Sequence, residues 1–225
     1  MSQINILDEI ILSNNVVESF YNQYNNNKDF KDWTSSNLPE INDCERQQQN
    51  NPWHKYNVLG HILHSVEEIN KQTKHLNNND RRILAYTMLF HDIGKPACHI
   101  VREKDGKLID SFFNHNIKSE RIARKILPNL NFNQQEIDIV AKLVFKHDIF
   151  MFIKEQKTSN PYWKVLSYDL IKQEIKDLSQ VGDGKTLMRY LIMVGRADNL
   201  AQNEKMTAQS LAMLDKFDTM LDNLQ

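Results

Sequence analysis

The sequence is poor in the residues that break helices or cross-link chains. It contains 6 glycines, 5 prolines and 2 cysteines in 225 residues. So few glycines and prolines leave too few turns for an all-β sandwich and favour long helices. Cys44 and Cys98 cannot form a disulfide framework and lack the CxxC spacing of a zinc site, so we expect small core residues in a reduced cytosol.

Long apolar runs and an excess of one charge are also missing. No run reaches the ~20 apolar residues that a membrane span requires, and the N-terminus MSQINILDEI lacks a basic segment followed by an apolar one. The net charge is −1 with no basic run, which argues against a large basic nucleic-acid surface. We therefore expect a cytoplasmic protein with no membrane partner, in which any phosphate recognition is local.

Apolar residues at helical spacing are abundant and predict an all-α bundle. We expect an N-terminal helical appendage over 1–50, a principal domain over 51–205 and a C-terminal helix over 206–225 that packs on the bundle. The dipeptide Asp105-Gly106 predicts one β-hairpin near 99–113, and we expect this hairpin to be the only sheet. The Asn- and Gln-rich runs are expected to be loop edges. The terminal helices could also mediate a homodimer. Helices are predicted over 4–22, 56–76, 116–127, 133–148, 163–180, 185–202 and 207–223. A further helix is predicted to begin after a cap at Asn79 or Asp80 and to end at Gly94.

The stretch LFHDIGKP at 89–96 places an imidazole and a carboxylate at the end of an apolar helix. The last turn of a helix carries partial negative charge, so Asp92 is repelled there unless a cation lies nearby. Lys95, a distant arginine or a metal ion could supply that charge.

A second acid, Asp198, also lacks a cation. It continues the apolar stripe formed by Leu187, Leu191 and Val194, and an ionised carboxylate on a buried stripe needs a partner. Arg196 projects to another side of the same helix. A salt bridge to an arginine or lysine elsewhere is the alternative to a metal.

The chain contains 8 histidines, and their positions on the predicted helices differ. His61 lies near the edge of the apolar stripe of its predicted helix and is a candidate ligand, while His64 lies opposite that stripe and is expected to be solvated. His75 and His99 are expected to be structural. Two imidazoles, His61 and His91, with the carboxylates of Asp92 and Asp198, would suit iron, manganese, nickel, cobalt or zinc better than calcium.

These residues, in this order, resemble the HD superfamily of metal-dependent phosphohydrolases, whose motif is H…HD…D. The matching phrases are GHILH, LFHDIGKP and VGRADNLAQ, and the similarity extends over about 51–202. A finer resemblance is to the HD domains of bacterial tRNA nucleotidyltransferases and their stand-alone relatives, on the phrases NPWHKYNVLGH and FFNHNIKSERIARKIL. Gly60 departs from that family, in which an acid is commoner at this position.

The finer resemblance implies two further metal ligands, His115 and His147. Asp148, which continues a buried stripe, could face inward in place of His147. If both histidines face the site, Asp92 could bridge two ions. Otherwise the site would hold one ion, and magnesium remains an alternative to the transition metals.

The resemblance implies hydrolysis of a phosphoester by metal-activated water, on a small phosphorylated substrate such as a nucleotide or an RNA end. A phosphomonoesterase or a 2′,3′-cyclic phosphodiesterase would fit. Asp92 is expected to orient the nucleophile, and Lys95 either stabilises charge as a catalytic residue or is a solvated lysine favourable to the helix dipole. The alternatives are a diiron oxygenase and a non-catalytic nucleotide-binding regulatory module. Specificity is expected around 149–165, where Phe150, Tyr162 and Trp163 could stack on a base or pack against the core.

Overall fold

Helices dominate the computed structural model, which describes residues 2–224. Within this range the helices are α1 (Gln3–Ile11), α2 (Val16–Asn26), α3 (Lys28–Asn37), α4 (Glu40–Arg46), α5 (Val58–Gln72), α6 (Asn78–Phe90), α7 (His115–Ile126), α8 (Gln134–Lys146), α9 (Tyr168–Leu178), α10 (Gly184–Leu200) and α11 (Glu204–Asp222). Short 3-10 helices cover Pro96–Cys98, Leu127–Leu130 and His147–Phe152. The predicted all-α class is confirmed.

The predicted hairpin is present as β1 (Ile100–Lys104) and β2 (Lys107–Ser111). The strands pair antiparallel, and the turn residues Asp105 and Gly106 have φ of 53° and 72°, the left-handed values that a tight hairpin turn requires. It is not the only sheet, contrary to expectation. β3 (Ile153–Lys154) and β4 (Lys164–Val165) form a second, parallel pair. Strands this short show no apolar alternation, and β4 lies where the predicted helix over 163–180 would have begun.

The N-terminal region holds four helices in place of one helix and a polar segment. The chain breaks after α1 because Ser13, Asn14 and Asn15 interrupt the helical pattern. Asn27, in a run expected to be a loop edge, begins α3 by accepting a hydrogen bond from the Phe30 amide. Phe30, Ile41 and Cys44 are buried, so these short helices pack on few apolar residues.

One continuous hydrophobic core joins the first and last helices. Leu7 of α1, Val66 of α5 and Phe217 of α11 belong to the same buried cluster. The buried Asn70 amide donates hydrogen bonds to the carbonyls of Ile11 and Ser13, which fixes the end of α1 against α5. The division into 1–50, 51–205 and 206–225 stays a prediction.

Five helices bring the candidate residues to one place. α6 and α10 pack on each other and both pack on α5 and α8, while α7 packs on α6 and α8. Gly94 allows α7 to approach the end of α6, because a Cβ there would lie 2.7 Å from the Ser119 nitrogen and 2.8 Å from the His115 oxygen. None of the helices in 2–224 is both long and apolar enough to cross a membrane.

Candidate metal centre

The candidate side chains come from the ends of five helices and meet in the interior. Their positions along the chain are His61 in the first turn of α5, His91-Asp92 just after α6, His115 at the start of α7, His147-Asp148 just after α8, and Asp198 in the last turn of α10. Residues separated by more than 130 positions thus share one site.

His61, His91 and Asp198 form the first group of possible ligands. The His61 Nε2 atom lies 2.9 Å from Asp198 Oδ1 and 3.3 Å from the His91 Nε2 atom. The His91 Nε2 atom lies 3.8 Å from the same carboxylate oxygen. Both histidines are buried, so this group is shielded from solvent.

Asp92, His115 and His147 form the second group. The Asp92 Oδ1 atom lies 3.1 Å from the His115 Nε2 atom and 3.7 Å from that of His147. Asp148 also faces this group, with its carboxylate oxygens 3.3 Å from His115 Nε2 and 3.2 Å from His147 Nε2. His147 and Asp148 therefore face inward together, and neither replaces the other.

Asp92 connects the two groups through its two carboxylate oxygens. Its Oδ1 atom faces His115, while its Oδ2 atom lies 3.2 Å from His61 Nε2 and 3.4 Å from His91 Nε2. A carboxylate with one oxygen toward each set of imidazoles has the arrangement of a bridging ligand.

Backbone carbonyls determine which imidazole nitrogen is available. The Nδ1 atoms of His91, His115 and His147 lie 2.6, 2.7 and 2.7 Å from the carbonyl oxygens of Met88, Phe112 and Val144. A carbonyl only accepts, so each Nδ1 donates, and in the neutral imidazole Nε2 is then a bare acceptor.

Two such acceptors face each other in the second group. The Nε2 atoms of His115 and His147 are 3.2 Å apart, and in the neutral forms neither carries a hydrogen for the other. The arrangement is favourable only when a proton or a metal ion lies between them. The donor set therefore fits a divalent transition metal.

The pKa values of His91 and Asp198 also indicate that positive charge stabilises the first group. Burial lowers the pKa of His91, but the carboxylates of Asp92 and Asp198 outweigh it and raise that pKa to about 10. Burial raises the pKa of Asp198, but hydrogen bonds from His61 and His91 hold it well below its usual range. Without a metal ion, a proton on His91 balances part of the charge of the two acids.

Lys95 supplies part of the charge that Asp92 needs. Its Nζ atom lies 2.6 Å from Asp92 Oδ2, and only 5% of the residue is exposed, so the alternative of a solvated lysine is wrong. Burial raises the pKa of Asp92, but Lys95 and then His91 lower it to well below the usual range.

Asp198 has no such partner. Within 2–224 no lysine or arginine nitrogen lies within salt-bridge distance of it, and its further hydrogen bond comes from the Gln202 amide at 3.1 Å. Arg196 projects outward as predicted and pairs with Asp215 at 2.6 Å. The salt-bridge alternative for Asp198 is therefore wrong.

Two residues at the site were not predicted from the sequence. Gln49 is buried and its Oε1 atom accepts a hydrogen bond from Lys95 Nζ at 2.9 Å. The His54 Nε2 atom lies 3.4 Å from the same nitrogen, and burial followed by the Lys95 charge lowers the pKa of His54 to about 2. Gln49 lies in a Gln-rich run that carries no periodic signal, so only the phrase NPWHKYNVLGH pointed toward this segment.

The other histidines lie outside the site. His75 is exposed. His99 lies 2.8 Å from Asp110 and supports the hairpin, in agreement with a structural role. His64 is half-buried rather than fully solvated, because its ring stacks on Tyr56 at a centroid distance of 4.1 Å.

The packing around α5 explains why position 60 holds a glycine. A Cβ there would lie 2.9 Å from Asn57 Oδ1, which accepts the hydrogen bond from the Gly60 amide that begins α5. An acid at position 60 would therefore have to displace the Asn57 side chain from the hydrogen bond that begins α5. The Nδ1 atom of His61 is buried and has no hydrogen-bond partner within 2–224.

A comparison with known protein families agrees with this geometry. The family model described as HD domain matches residues 58–202, which include every member of both three-residue groups. The match covers more than half of the chain. The protein therefore belongs to the HD domain family.

Proposed function

We propose that this protein is a metal-dependent hydrolase of phosphoester bonds in a nucleotide or at a nucleic-acid end, of the phosphomonoesterase or 2′,3′-cyclic phosphodiesterase type. HD domain proteins are in general metal-dependent phosphohydrolases that bind divalent metals. The observation that carries the proposal is the Asp92 carboxylate, which has one oxygen toward each of two possible ligand groups.

The proposed ligands follow from that arrangement. His61, His91, Asp92 and Asp198 would hold one ion, and Asp92, His115 and His147 would hold a second, with Asp148 beside it. Mixed imidazole and carboxylate donors favour iron, manganese, nickel, cobalt or zinc, and magnesium is the further candidate. Bound ions of this kind lower the pKa of a water molecule toward ~7 and bind phosphate oxygens.

The protein's own residues would prepare the site for this chemistry. Carbonyl acceptors hold three imidazoles with Nε2 toward the centre, so these ligands need no reorientation. Burial of His61, His91 and His147 excludes bulk water and strengthens electrostatic interactions with a phosphate. Lys95 keeps Asp92 ionised.

The finer kinship, to the HD domains of bacterial tRNA nucleotidyltransferases, is part of the proposal. The segment before α5 that suggested it carries His54, whose ring lies 4.9 Å from that of His61. The second phrase, FFNHNIKSERIARKIL, begins with Phe112, whose carbonyl orients His115. Both phrases thus contribute residues to the candidate site, and the resemblance that they carry is the reason for proposing an RNA end as substrate.

Aromatic residues in the segment between α8 and α9 differ in their availability to a base. Phe150 packs in the core against Phe217, with a centroid distance of 5.0 Å, so it does not serve as a stacking platform. Tyr162 is exposed, and Lys154 Nζ lies 4.4 Å from the centroid of the Trp163 ring. Tyr162 is therefore the proposed contact for a base.

A phosphoester panel tests the proposal. The purified protein is assayed with manganese on bis-p-nitrophenyl phosphate, 2′,3′-cyclic nucleotides and RNA with a 3′-phosphate, and we expect metal-dependent turnover of at least one of these. Protein prepared without air is examined in parallel by electron paramagnetic resonance. A mixed-valent diiron signal together with no hydrolysis would contradict the proposal and favour the diiron oxygenase, which two adjacent ligand groups also suit.

A further inference from the structure

The ammonium group of Lys95 is surrounded by three acceptors. Its Nζ atom lies 2.6 Å from Asp92 Oδ2, 2.9 Å from Gln49 Oε1 and 3.4 Å from His54 Nε2. An ammonium has three hydrogens and accepts none. Each hydrogen of Lys95 therefore has an acceptor inside the protein.

Gln49 is itself held in one orientation. Its Nε2 atom donates a hydrogen bond to the Tyr56 carbonyl at 3.2 Å, which fixes the oxygen of the amide toward Lys95. The flanking backbone is anchored on both sides, because the Val58 amide donates to the Gln47 carbonyl and the Asn50 amide donates to Asp110 Oδ2. Only 6% of Gln49 is exposed, so it has no solvent-facing role.

His54 completes the set as an acceptor. Lysine only donates, so the contact at Nε2 requires a lone pair there and places the imidazole hydrogen on Nδ1. The ring packs edge-on against His61, which connects this set to the first ligand group.

We propose that Gln49 and His54 are positioning residues that hold Lys95 against Asp92, so that the carboxylate keeps one oxygen toward each ligand group. Lys95 then acts on Asp92 and does not contact the substrate, because a substrate oxygen could bind it only by displacing one of the three acceptors. The effect on turnover rests on the proposed phosphohydrolase function, whereas the arrangement itself does not.

The arrangement is tested first without any substrate. Lysine ammonium protons are recorded by 1H–15N NMR in the metal-free protein, and the Lys95 resonance is assigned by its loss in Lys95→Met. We expect a resonance protected from exchange that Gln49→Leu removes and Gln49→Glu, which keeps an acceptor, retains. Gln48→Leu is the matched control, since Gln48 is the exposed neighbour. No protected resonance, or one insensitive to Gln49→Leu, would overturn the proposal.

Turnover of bis-p-nitrophenyl phosphate with manganese tests the consequence. Gln49→Leu is expected to lower kcat roughly tenfold or more, as for loss of a hydrogen bond to a charged group, and to leave KM within about twofold. Gln49→Glu keeps an acceptor for Lys95 but loses the donor to the Tyr56 carbonyl, so it is expected to restore part of kcat. Adding Gln49→Leu to Lys95→Met is expected to change nothing further, because Gln49 acts through Lys95.

Other outcomes separate the two proposals. The positioning role would be overturned if the reductions in kcat from Gln49→Leu and Lys95→Met multiplied in the double variant. Equal reductions in kcat in Gln49→Leu and Gln49→Glu, or a raised KM with unchanged kcat, would also overturn it. A wild-type protein that hydrolyses none of the phosphoesters yet shows the expected NMR pattern would overturn the proposed function and support the Lys95 arrangement.

Discussion

Three imidazoles at the site, those of His91, His115 and His147, owe their orientation to backbone carbonyls. His115 donates its Nδ1 hydrogen to the Phe112 carbonyl and belongs to the second ligand group alone. We predict that His115→Ala lowers the metal content from about two ions per chain to about one, measured by inductively coupled plasma mass spectrometry. His99→Ala, which removes a histidine outside the site, is the control. An unchanged ion content in His115→Ala would contradict the second group.

Charge at His91 predicts how metal uptake depends on pH. The carboxylates of Asp92 and Asp198 raise its pKa to about 10 against the effect of burial, so the imidazole is protonated at neutral pH in metal-free protein. A metal ligand must be deprotonated, so affinity is expected to rise with pH below about 10 and binding at pH 7 is expected to release a proton. Calorimetry in two buffers of different ionisation enthalpy measures that proton. Equal heats in both buffers would contradict the prediction.

At the residue scale, the sequence predicted which acids need a positively charged partner, but it did not predict all of the groups that stabilise them. Asp92 and Asp198 stand out because a helix end and an apolar stripe are unfavourable places for a carboxylate. Gln49 does not stand out, because a glutamine in a polar run has no pattern that distinguishes a buried amide from an exposed one. Its burial depends on contacts with Lys95, 46 positions away.

At the scale of elements, the approach of α7 to the end of α6 depends on Gly94. Its amide donates a hydrogen bond to Ser119 Oγ at 2.9 Å, and backbone atoms of α7 occupy the space that a Cβ would need. We predict that Gly94→Ala destabilises the protein by about 1–3 kcal/mol, as overpacking does, measured by urea denaturation.

The matched control for that substitution is Gly182→Ala. A Cβ at Gly182 would meet mainly the flexible end of Leu187, at 3.1 Å, so a small effect is expected. Equal stability of wild type and Gly94→Ala would show that α7 does not depend on this close approach.

Element types were predictable where helices have long apolar stripes, as in α5 and α10. Prediction failed where elements are short. The strands β3 and β4 have two residues each, and strands of this length are too short to show a repeating apolar pattern. α3 and α4 are stabilised by packing of a few residues, such as Phe30 and Cys44, that local pattern does not reveal.

At the scale of the whole molecule, the N-terminal helices and the candidate site share one core. Asp8 of α1 accepts hydrogen bonds from the Tyr86 hydroxyl at 2.6 Å and from Arg82 Nε at 3.1 Å, both on α6. We predict a single cooperative unfolding transition in calorimetry. Asp8→Ala is expected to lower the free energy of unfolding by about 1–3 kcal/mol, while the transition stays single. Two separate transitions in the wild type would show that the N-terminal helices fold independently.

The overall class was predictable because composition and periodicity both reflect helix content. The number of N-terminal helices was not, since Asn27 and its neighbours begin helices where the sequence suggested a loop. The convergence of His61 and Asp198 also depends on packing between α5 and α10, which no local pattern encodes.

The most direct test of the central claim is the metal content of wild type and Asp92→Ala, measured together with phosphoester turnover. A carboxylate shared by both ligand groups predicts about two transition-metal ions per chain in the wild type and loss of both ions and turnover in Asp92→Ala. Asp215→Ala, which alters an exposed acid paired with Arg196, is expected to behave as wild type. An Asp92→Ala protein that keeps the wild-type ion content would contradict the claim.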